Sequence, residues 1–442
     1  MSQGKDLKNS EDVFLIALIP DFLASLYLIL GSPVIFVLSF FIETSGIFKF
    51  CATGIMIFAV MAGIWEFRGL VKIVKSILMS RVDFYPVFCY SRHINNMNKK
   101  IFLSGGGTLG SVMPLLAIWE KLKDDYNCYW IGSCNGLEKE FVKKRGIAYL
   151  GIPSGKIRKY LSIKNLLTPF LVFLGLKSSL WHCVIIRPQL IIVSGSFVSV
   201  PLVWAGWILR IPIIVHQEDI NIGLAGKLTI PFASFITTAF EITTKKINRK
   251  NTLWIGNPVR NIFYTVDRAE AEKKWKTKNL PLILVLGGGL GSLRLNDIMV
   301  SFARKQEGIC TVINITGKGK ADKDNFLNYK QIEQMDNDIA EVIAAADIVV
   351  SRAGLSSLSE FVILGKVSIL VPLKGVGQNE NARFFEERKA ALLSNEDNLE
   401  TTIIELLKDL ERQIELEKNI KTIFPPNSQE SFLKVIKQTI KK

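Results

Sequence analysis

Between Ala346 and Pro372 the chain carries residues whose types and spacing could do chemistry. Ile348, Val349 and Val350 form an apolar run suited to a strand buried on both faces. Arg352, Ala353 and Gly354 interrupt it, and Gly354 is expected to supply the turn. Ser356 and Ser357 are residue types that cap a helix N-terminus. The helix they would start is expected to stop at Gly365, before a second apolar run from Val367 to Val371. The first-turn amides of such a helix attract phosphate. Glu360, one turn further in, could accept hydrogen bonds from two neighbouring hydroxyls. A diphosphate beside a ribose diol, as in a nucleotide-sugar, fits that pair of features. Taken alone, the stretch suits an ordinary βαβ unit with a solvated glutamate equally well.

The elements that would position this group recur along the chain. Ile101 to Ser104 reads as a strand, followed by the loop Gly105-Gly106-Gly107-Thr108-Leu109-Gly110-Ser111 and a helix over about 112–122 with Pro114 in its first turn. Leu282 to Leu286 reads as another strand, followed by Gly287-Gly288-Gly289-Leu290-Gly291-Ser292 and a helix over about 293–304. This repetition predicts an α/β protein with two Rossmann-like domains facing a cleft. Tyr129 to Ile131, Leu190 to Val193, Ile213 to Val215 and Phe235 to Thr238 are further strand candidates. The domain break is expected after Asn257-Pro258, followed by a polar linker or edge segment over 263–280 and, from Leu399, two helices around Phe424-Pro425-Pro426-Asn427. The expected divisions are 1–98, 99–258 and 259–442. Neither glycine loop matches a P-loop, so nucleoside triphosphate hydrolysis is not supported.

Composition points to a membrane. The 442 residues are 49% hydrophobic and carry a formal charge of +15. Phe22 to Ile42 is free of charge and long enough to span a hydrocarbon core of ~30 Å. Phe50 to Trp65 is a second candidate, and Arg68, Lys72, Lys75, Arg81, Arg92, Lys99 and Lys100 follow it, opposed only by Asp83. Basic flanks stay on the cytoplasmic side. The expectation is an N-terminal transmembrane helical segment in the inner (cytoplasmic) membrane, with the later domains on its cytoplasmic side against anionic lipid. Lys156, Arg158, Lys159 and Lys164, followed by a bulky apolar stretch from Leu166 to Leu174, form a candidate membrane-surface patch. Six cysteines with no C-x-x-C pair fit a reducing compartment. Three histidines make a His-rich metal site improbable. No nucleic-acid recognition motif accompanies the charge, so nucleic acid is not expected as a partner, and the first glycine loop with its neighbours argues against an NAD-dependent oxidoreductase.

In order, GGTLGSVMP (106–114), SGSFVSVP (194–201), IPIIVHQED (211–219), GNPVR (256–260), GGGLGSLRLN (287–296), SRAGLSSLSE (351–360) and GQNENA (377–382) resemble the MurG-type N-acetylglucosaminyltransferases of the GT-B fold. The resemblance covers about residues 100 to 395. It implies transfer of N-acetylglucosamine from UDP-N-acetylglucosamine (UDP-GlcNAc) to undecaprenyl-diphospho-muramoyl-pentapeptide, lipid I, giving lipid II, with no cofactor. It further implies that Arg260 meets the nucleotide diphosphate and that Gly288, Gly289, Gly291 and Gly354 let the backbone approach the donor. Glu360 would hold the ribose hydroxyls, and Gln378 and Asn381 those of the sugar. Gly106, Gly107, Thr108 and Gly110 would form the acceptor loop.

Three positions depart from the family pattern. Ser111 stands where the family has histidine, Asp219 where it has the asparagine of HEQN, and Gly289 where it has serine. A serine hydroxyl is a poor base near neutral pH, so the candidate catalytic groups are Asp219 and Glu218 beside Ser111. The departures leave open a different sugar and lipid acceptor, or a non-catalytic nucleotide-sugar-binding subunit. Of the strings Asp322-Lys323-Asp324 and Asp336-Asn337-Asp338, neither is expected to hold a metal, and Asp336 is read as the N-cap of a helix over 338–346.

Overall fold

A computed structural model of the protein describes residues 99–155, 168–276, 280–289, 291–322, 326–373 and 377–441. The two expected membrane spans, the basic residues before Lys99, the cluster from Lys156 to Lys164, and Lys323 and Asp324 all lie outside the described residues.

Two separate parallel sheets form. The first takes β1 (Lys100–Ser104), β2 (Asn127–Ser133), β3 (Ala148–Ile152), β4 (Leu190–Ser194), β5 (Ile213–Gln217), β6 (Phe235–Thr238) and β7 (Thr252–Trp254) in the order 3-2-1-4-5-6-7. The second takes β8 (Leu282–Leu286), β9 (Thr311–Ile315), β10 (Tyr329–Ile332), β11 (Ile348–Ser351), β12 (Ser368–Leu370) and β13 (Leu392–Leu393) in the order 10-9-8-11-12-13. Each has its first strand in the middle, flanked by its second and fourth, which is the doubly wound arrangement. The switch point of both sheets therefore falls beside a glycine loop. β4, β5, β8 and β11 are buried along their whole length, as continuous apolar runs require when helices cover both faces.

Elsewhere the structure differs from the sequence reading in instructive ways. The segment taken as a polar linker contains the helix Arg268–Trp275, whose N-cap Asp267 accepts from the amides of Ala269 and Glu270. Asp409 divides the C-terminal region, giving three helices, Leu399–Lys408, Leu410–Ile420 and Ser428–Ile440. The last of these leaves the second lobe. Phe432, Val435 and Ile436 pack in the core of the first with Ile101, Leu103 and Leu115. Burying one such side chain is worth ~1.5–3 kcal/mol, so this helix ties the lobes together. Phe240 of the first lobe meets Phe384 and Phe424 of the second at ring-centroid separations of 4.9 and 5.4 Å, continuing the seam.

The helix Thr168–Ile186 is long and apolar enough to cross a membrane. Its buried positions are the small ones, Gly175, Ser179 and Cys183 with Ile186, and Gly175 lies so close to Pro153 and Pro201 that a side chain there would clash. Its large side chains Phe173, Trp181, Val184 and Ile185 are exposed, as are Trp207, Ile208 and Leu209 at the end of the helix Ser199–Ile208, which packs against it.

Candidate functional site

On the second lobe the turn after β11 is made differently from the expectation. Ala353, not Gly354, takes the left-handed conformation, with φ 59°. Gly354 is extended and is itself the N-cap of the helix Leu355–Leu364, so Ser356 and Ser357 lie inside the first turn and do not cap it. Gly365 ends the helix at φ 62°, as expected. Glu360 is buried on this helix, and burial raises its pKa to about 7 although Arg260 pulls it down.

Arg260 is buried at the end of residues 255–260, the linker that follows β7 and joins the two lobes, with its guanidinium over the Phe263 ring. Its Nη1 donates to Asp336 Oδ1 at 2.9 Å, and Arg145 of the first lobe donates to the same carboxylate at 2.5 Å. Asp336 is thus an ion-pair partner between lobes; the N-cap of the helix Ile339–Ala345 is Asp338. Among the described residues no group of three or more His, Cys, Asp and Glu is placed to hold a metal ion. Arg260 Nε and Asn381 Oδ1 are buried with no hydrogen-bond partner among the described residues. Gly288 and Gly291 both have positive φ, and a Cβ on Gly291 would lie 1.9 Å from the Thr316 carbonyl oxygen, so only glycine fits. Ser292 caps the next helix and accepts from Arg352, which also pairs with Glu396 at 2.7 Å. Gln378 begins the helix Gln378–Glu387 and accepts from the Leu373 amide at 3.4 Å.

On the first lobe the loop 105–111 is held from beneath. Gly107, at φ 77°, donates its amide to Glu138 Oε2 at 3.2 Å, and Glu138 Oε1 accepts from the amide and hydroxyl of Ser133, each at 2.9 Å. The Glu138 carboxylate packs so tightly on Gly106 that a Cβ there would fall 2.5 Å from it. Ser111 faces its own loop: its hydroxyl accepts from the Gly106 amide and donates back to the Gly106 carbonyl, each at 3.1 Å. It is buried, and these bonds brace the loop. Thr108 is exposed on the loop, with Gly110 half-buried beside it.

Glu218 and Asp219 follow β5. Glu218 accepts from Ser194 Oγ, and burial together with the neighbouring Asp219 raises its pKa to about 8. Asp219 is also raised by burial, with Asn381 opposing the shift and Glu380 adding to it. The half-sites meet at three places. Asn381 Nδ2 donates to Asp219 Oδ1 at 3.2 Å, Ser356 Oγ donates to the Gly110 carbonyl at 2.9 Å, and the open side of Gly289 faces Leu109. The structure therefore draws Asp219, Gly110 and Leu109 to Asn381, Ser356 and Gly289 across the cleft. Sequence reasoning missed Arg145 and Glu138 and read Asp336 only as a cap, because the Arg145–Asp336 and Gly107–Glu138 contacts span 191 and 31 positions.

The match to two domain models agrees with this architecture. The glycosyltransferase family 28 N-terminal domain matches residues 101–238, and the family's C-terminal domain matches 282–440. A UDP-N-acetylglucosamine--N-acetylmuramyl-(pentapeptide) pyrophosphoryl-undecaprenol N-acetylglucosamine transferase of Legionella pneumophila (strain Lens) is 33% identical over 353 residues, 77% of this chain and 97% of the relative. A Bacillus cereus (strain ATCC 14579) protein, the same transferase numbered 2, is 33% identical over 77% of this chain and 99% of its own length. Among solved structures, Acinetobacter baumannii MurG superposes with TM-score 0.59 at 20% identity, over 77% of this chain and 99% of that one. A Neisseria meningitidis UDP-GlcNAc 2-epimerase superposes with TM-score 0.58 at 13% identity, over 77% of this chain and 100% of its own, so the fold alone does not separate transferase from epimerase. The chain belongs to the family 28 glycosyltransferases of the GT-B fold. Within that family its curated relatives are of the MurG type.

Proposed function

We propose that the chain moves N-acetylglucosamine from UDP-GlcNAc to the C4 hydroxyl of the muramoyl sugar of lipid I, with inversion. The observation that carries this reading is the near full-length likeness to transferases named for that reaction. The convergence of Asp219 with Asn381 across the cleft supports it. The acceptor oxygen attacks the anomeric carbon as its bond to UDP breaks, and the electron pair leaves on the diphosphate. Asp219 takes the acceptor proton. Its pKa is raised above the ordinary aspartate value, which makes its carboxylate the stronger base. Glu218, held near pKa 8, keeps its proton at neutral pH and is a poor candidate for that step. Arg260 stabilises the leaving diphosphate electrostatically, Glu360 receives the ribose hydroxyls, and Gln378 and Asn381 receive the sugar. Exposed Phe173, Trp181, Val184, Ile185, Trp207 and Ile208 on two packed helices, with exposed Lys177, Arg187 and Arg210 on or just after them, suit the surface of an anionic bilayer.

Incubation with radiolabelled UDP-GlcNAc and a lipid I analogue tests the reading, and labelled lipid II analogue is the expected product. Asp219→Asn should retain UDP binding and lose at least a hundredfold in turnover. Aspartate in place of the family asparagine keeps a second reading in view, transfer to another lipid. Label on a different acceptor alone would select it, and binding without any transfer would leave a non-catalytic subunit.

A further inference from the structure

A chain of uncharged groups crosses from one lobe to the other through the linker. His216, fully buried on β5, has Nδ1 2.9 Å from Thr237 Oγ1 on β6 and Nε2 2.9 Å from Asn257 Oδ1 in the linker. Asn257 Nδ2 donates to Ser359 Oγ at 2.9 Å, and Ser359 Oγ donates to the Leu355 carbonyl at 2.7 Å. These bonds allow one direction. The single Ser359 hydrogen goes to Leu355, so Ser359 accepts from Asn257. The Asn257 oxygen then faces His216, which carries its proton on Nε2 and accepts at Nδ1 from the Thr237 hydroxyl. The groups facing the ring, Thr237, Asn257 and Phe432, carry no charge. Burial holds the imidazole pKa down to about 4, so it stays neutral through the physiological range.

The position of this relay matters more than its strength. His216 lies three residues before Asp219, and Ser359 immediately precedes Glu360. The linker between them is clamped from the far side. Gly256 has φ 78° with Ser428 and Phe424 against it, and Gln429 Nε2 donates to the Val259 carbonyl at 2.6 Å. Apolar packing thus holds the linker down, while the relay registers β5 against the Glu360 helix.

We propose that His216, as its Nε2–H tautomer, is a positioning residue that sets the spacing of the Asp219 and Glu360 half-sites through Asn257 and Ser359, without touching substrate. The inference rests on the reading above that those half-sites serve one transfer. UDP binding belongs to the second lobe and survives a broken relay, whereas turnover needs both lobes in register.

The test pairs kinetics with NMR of the full chain, whose three histidines simplify assignment. In the wild type, the His216 ring should show the Nε2–H tautomer and should not titrate between pH 5 and 8. Ser359→Ala should shift the His216 resonances through Asn257 and lower kcat at least tenfold, with the UDP dissociation constant within twofold of wild type. Thr237→Val should mix the tautomers, and Thr237→Ser, which keeps the hydroxyl, should restore a single one. An Nδ1–H or titrating His216, or an unchanged kcat in Ser359→Ala, overturns the proposal. So does a parallel loss of kcat and UDP affinity, the mark of general loosening. If the wild type transfers no sugar, the functional reading fails on its own, and the tautomer and the resonance shift still decide whether the relay exists.

Discussion

Replacing Glu138 by glutamine keeps the shape of a fully buried carboxylate and turns one of its oxygens into a donor. Every group facing that carboxylate donates: the Gly107 amide to Oε2, and the Ser133 amide and hydroxyl to Oε1. The Tyr149 hydroxyl, 3.3 Å from Oε1, points more closely at the Ser133 carbonyl at 2.6 Å, so it adds little. The glutamine oxygen will settle on the Ser133 side, where two bonds are kept, leaving its NH2 against the Gly107 amide. A lost hydrogen bond to a charged group costs about 1.5–3 kcal/mol. Taking about 2 kcal/mol, melting should fall by roughly 4–8 °C for a lobe of this size. Gly107 is then released from one side of the acceptor loop. If all of that energy is missing in the transition state, kcat/KM for the lipid acceptor falls by about 30-fold, since each 1.36 kcal/mol is a factor of ten. Calorimetry gives the first quantity. Steady-state kinetics with the lipid I analogue varied at saturating UDP-GlcNAc gives the second, and titration with UDP should show unchanged affinity. A melting drop of this size with acceptor kcat/KM unaltered would make Glu138 a fold anchor only, and a matching loss of UDP affinity would refute the separation of the two half-sites.

Three further perturbations probe the second lobe's half-site and the exposed apolar side chains of the first lobe. Glu360 must be ionised to accept from two ribose hydroxyls, so donor binding favours its deprotonated form; with its pKa near 7, KM for UDP-GlcNAc should rise as pH falls from 8 to 6, and Glu360→Gln should flatten that profile at a higher KM. Asp336 competes with a diphosphate for Arg260, but it is partly exposed, and such pairs are worth only about 0.2–1 kcal/mol. Asp336→Asn should therefore tighten UDP binding by at most about fivefold in a calorimetric titration, and a weakening would mean that Asp336 orients Arg260 instead. Exchanging Phe173 and Trp181 for serine should lower sedimentation with anionic vesicles while leaving melting nearly unchanged, because both side chains already face water.

Much of the architecture was legible because buried parallel strands are written as plain apolar runs. Leu282 to Leu286 and Phe235 to Thr238 form as read. Gly365 closes its helix because a left-handed residue was needed there. Five strands escaped notice: Ala148–Ile152, Thr252–Trp254, Tyr329–Ile332 and Leu392–Leu393 sit at sheet edges, where the apolar signal thins, whereas Thr311–Ile315 lies buried inside its sheet with polar Thr311 and Asn314 breaking its apolar run. Local rules also misassigned the capping roles. Ser356 has the chemistry of an N-cap, but the Gly110 carbonyl 246 positions earlier takes its hydrogen. Asp336 has it too, but two arginines claim its carboxylate. A positive φ at Ala353 cannot be foreseen from alanine, whose intrinsic preference opposes it. Such a position carries local cost that the surrounding packing offsets.

The adjacent carboxylates at the end of β5 show how a departure from the family pattern can be chemically coherent. Two ionised groups side by side in a poorly solvated pocket repel, and one proton relieves the conflict. The environment decides which residue keeps it. Glu218 points under the loop after β4 toward Ser194, is the more buried of the two, and has the neighbouring aspartate against it. Asp219 reaches the cleft and gains the Asn381 amide, which favours its charged form. Glu218 therefore holds the proton near neutral pH, and Asp219 is the carboxyl group that faces the cleft. Pushing two acids apart in this way assigns them separate roles. It also explains why an acid at 219 is tolerable beside an acid at 218: a protonated Glu218 no longer repels its neighbour, and the Asn381 amide favours the charge on Asp219.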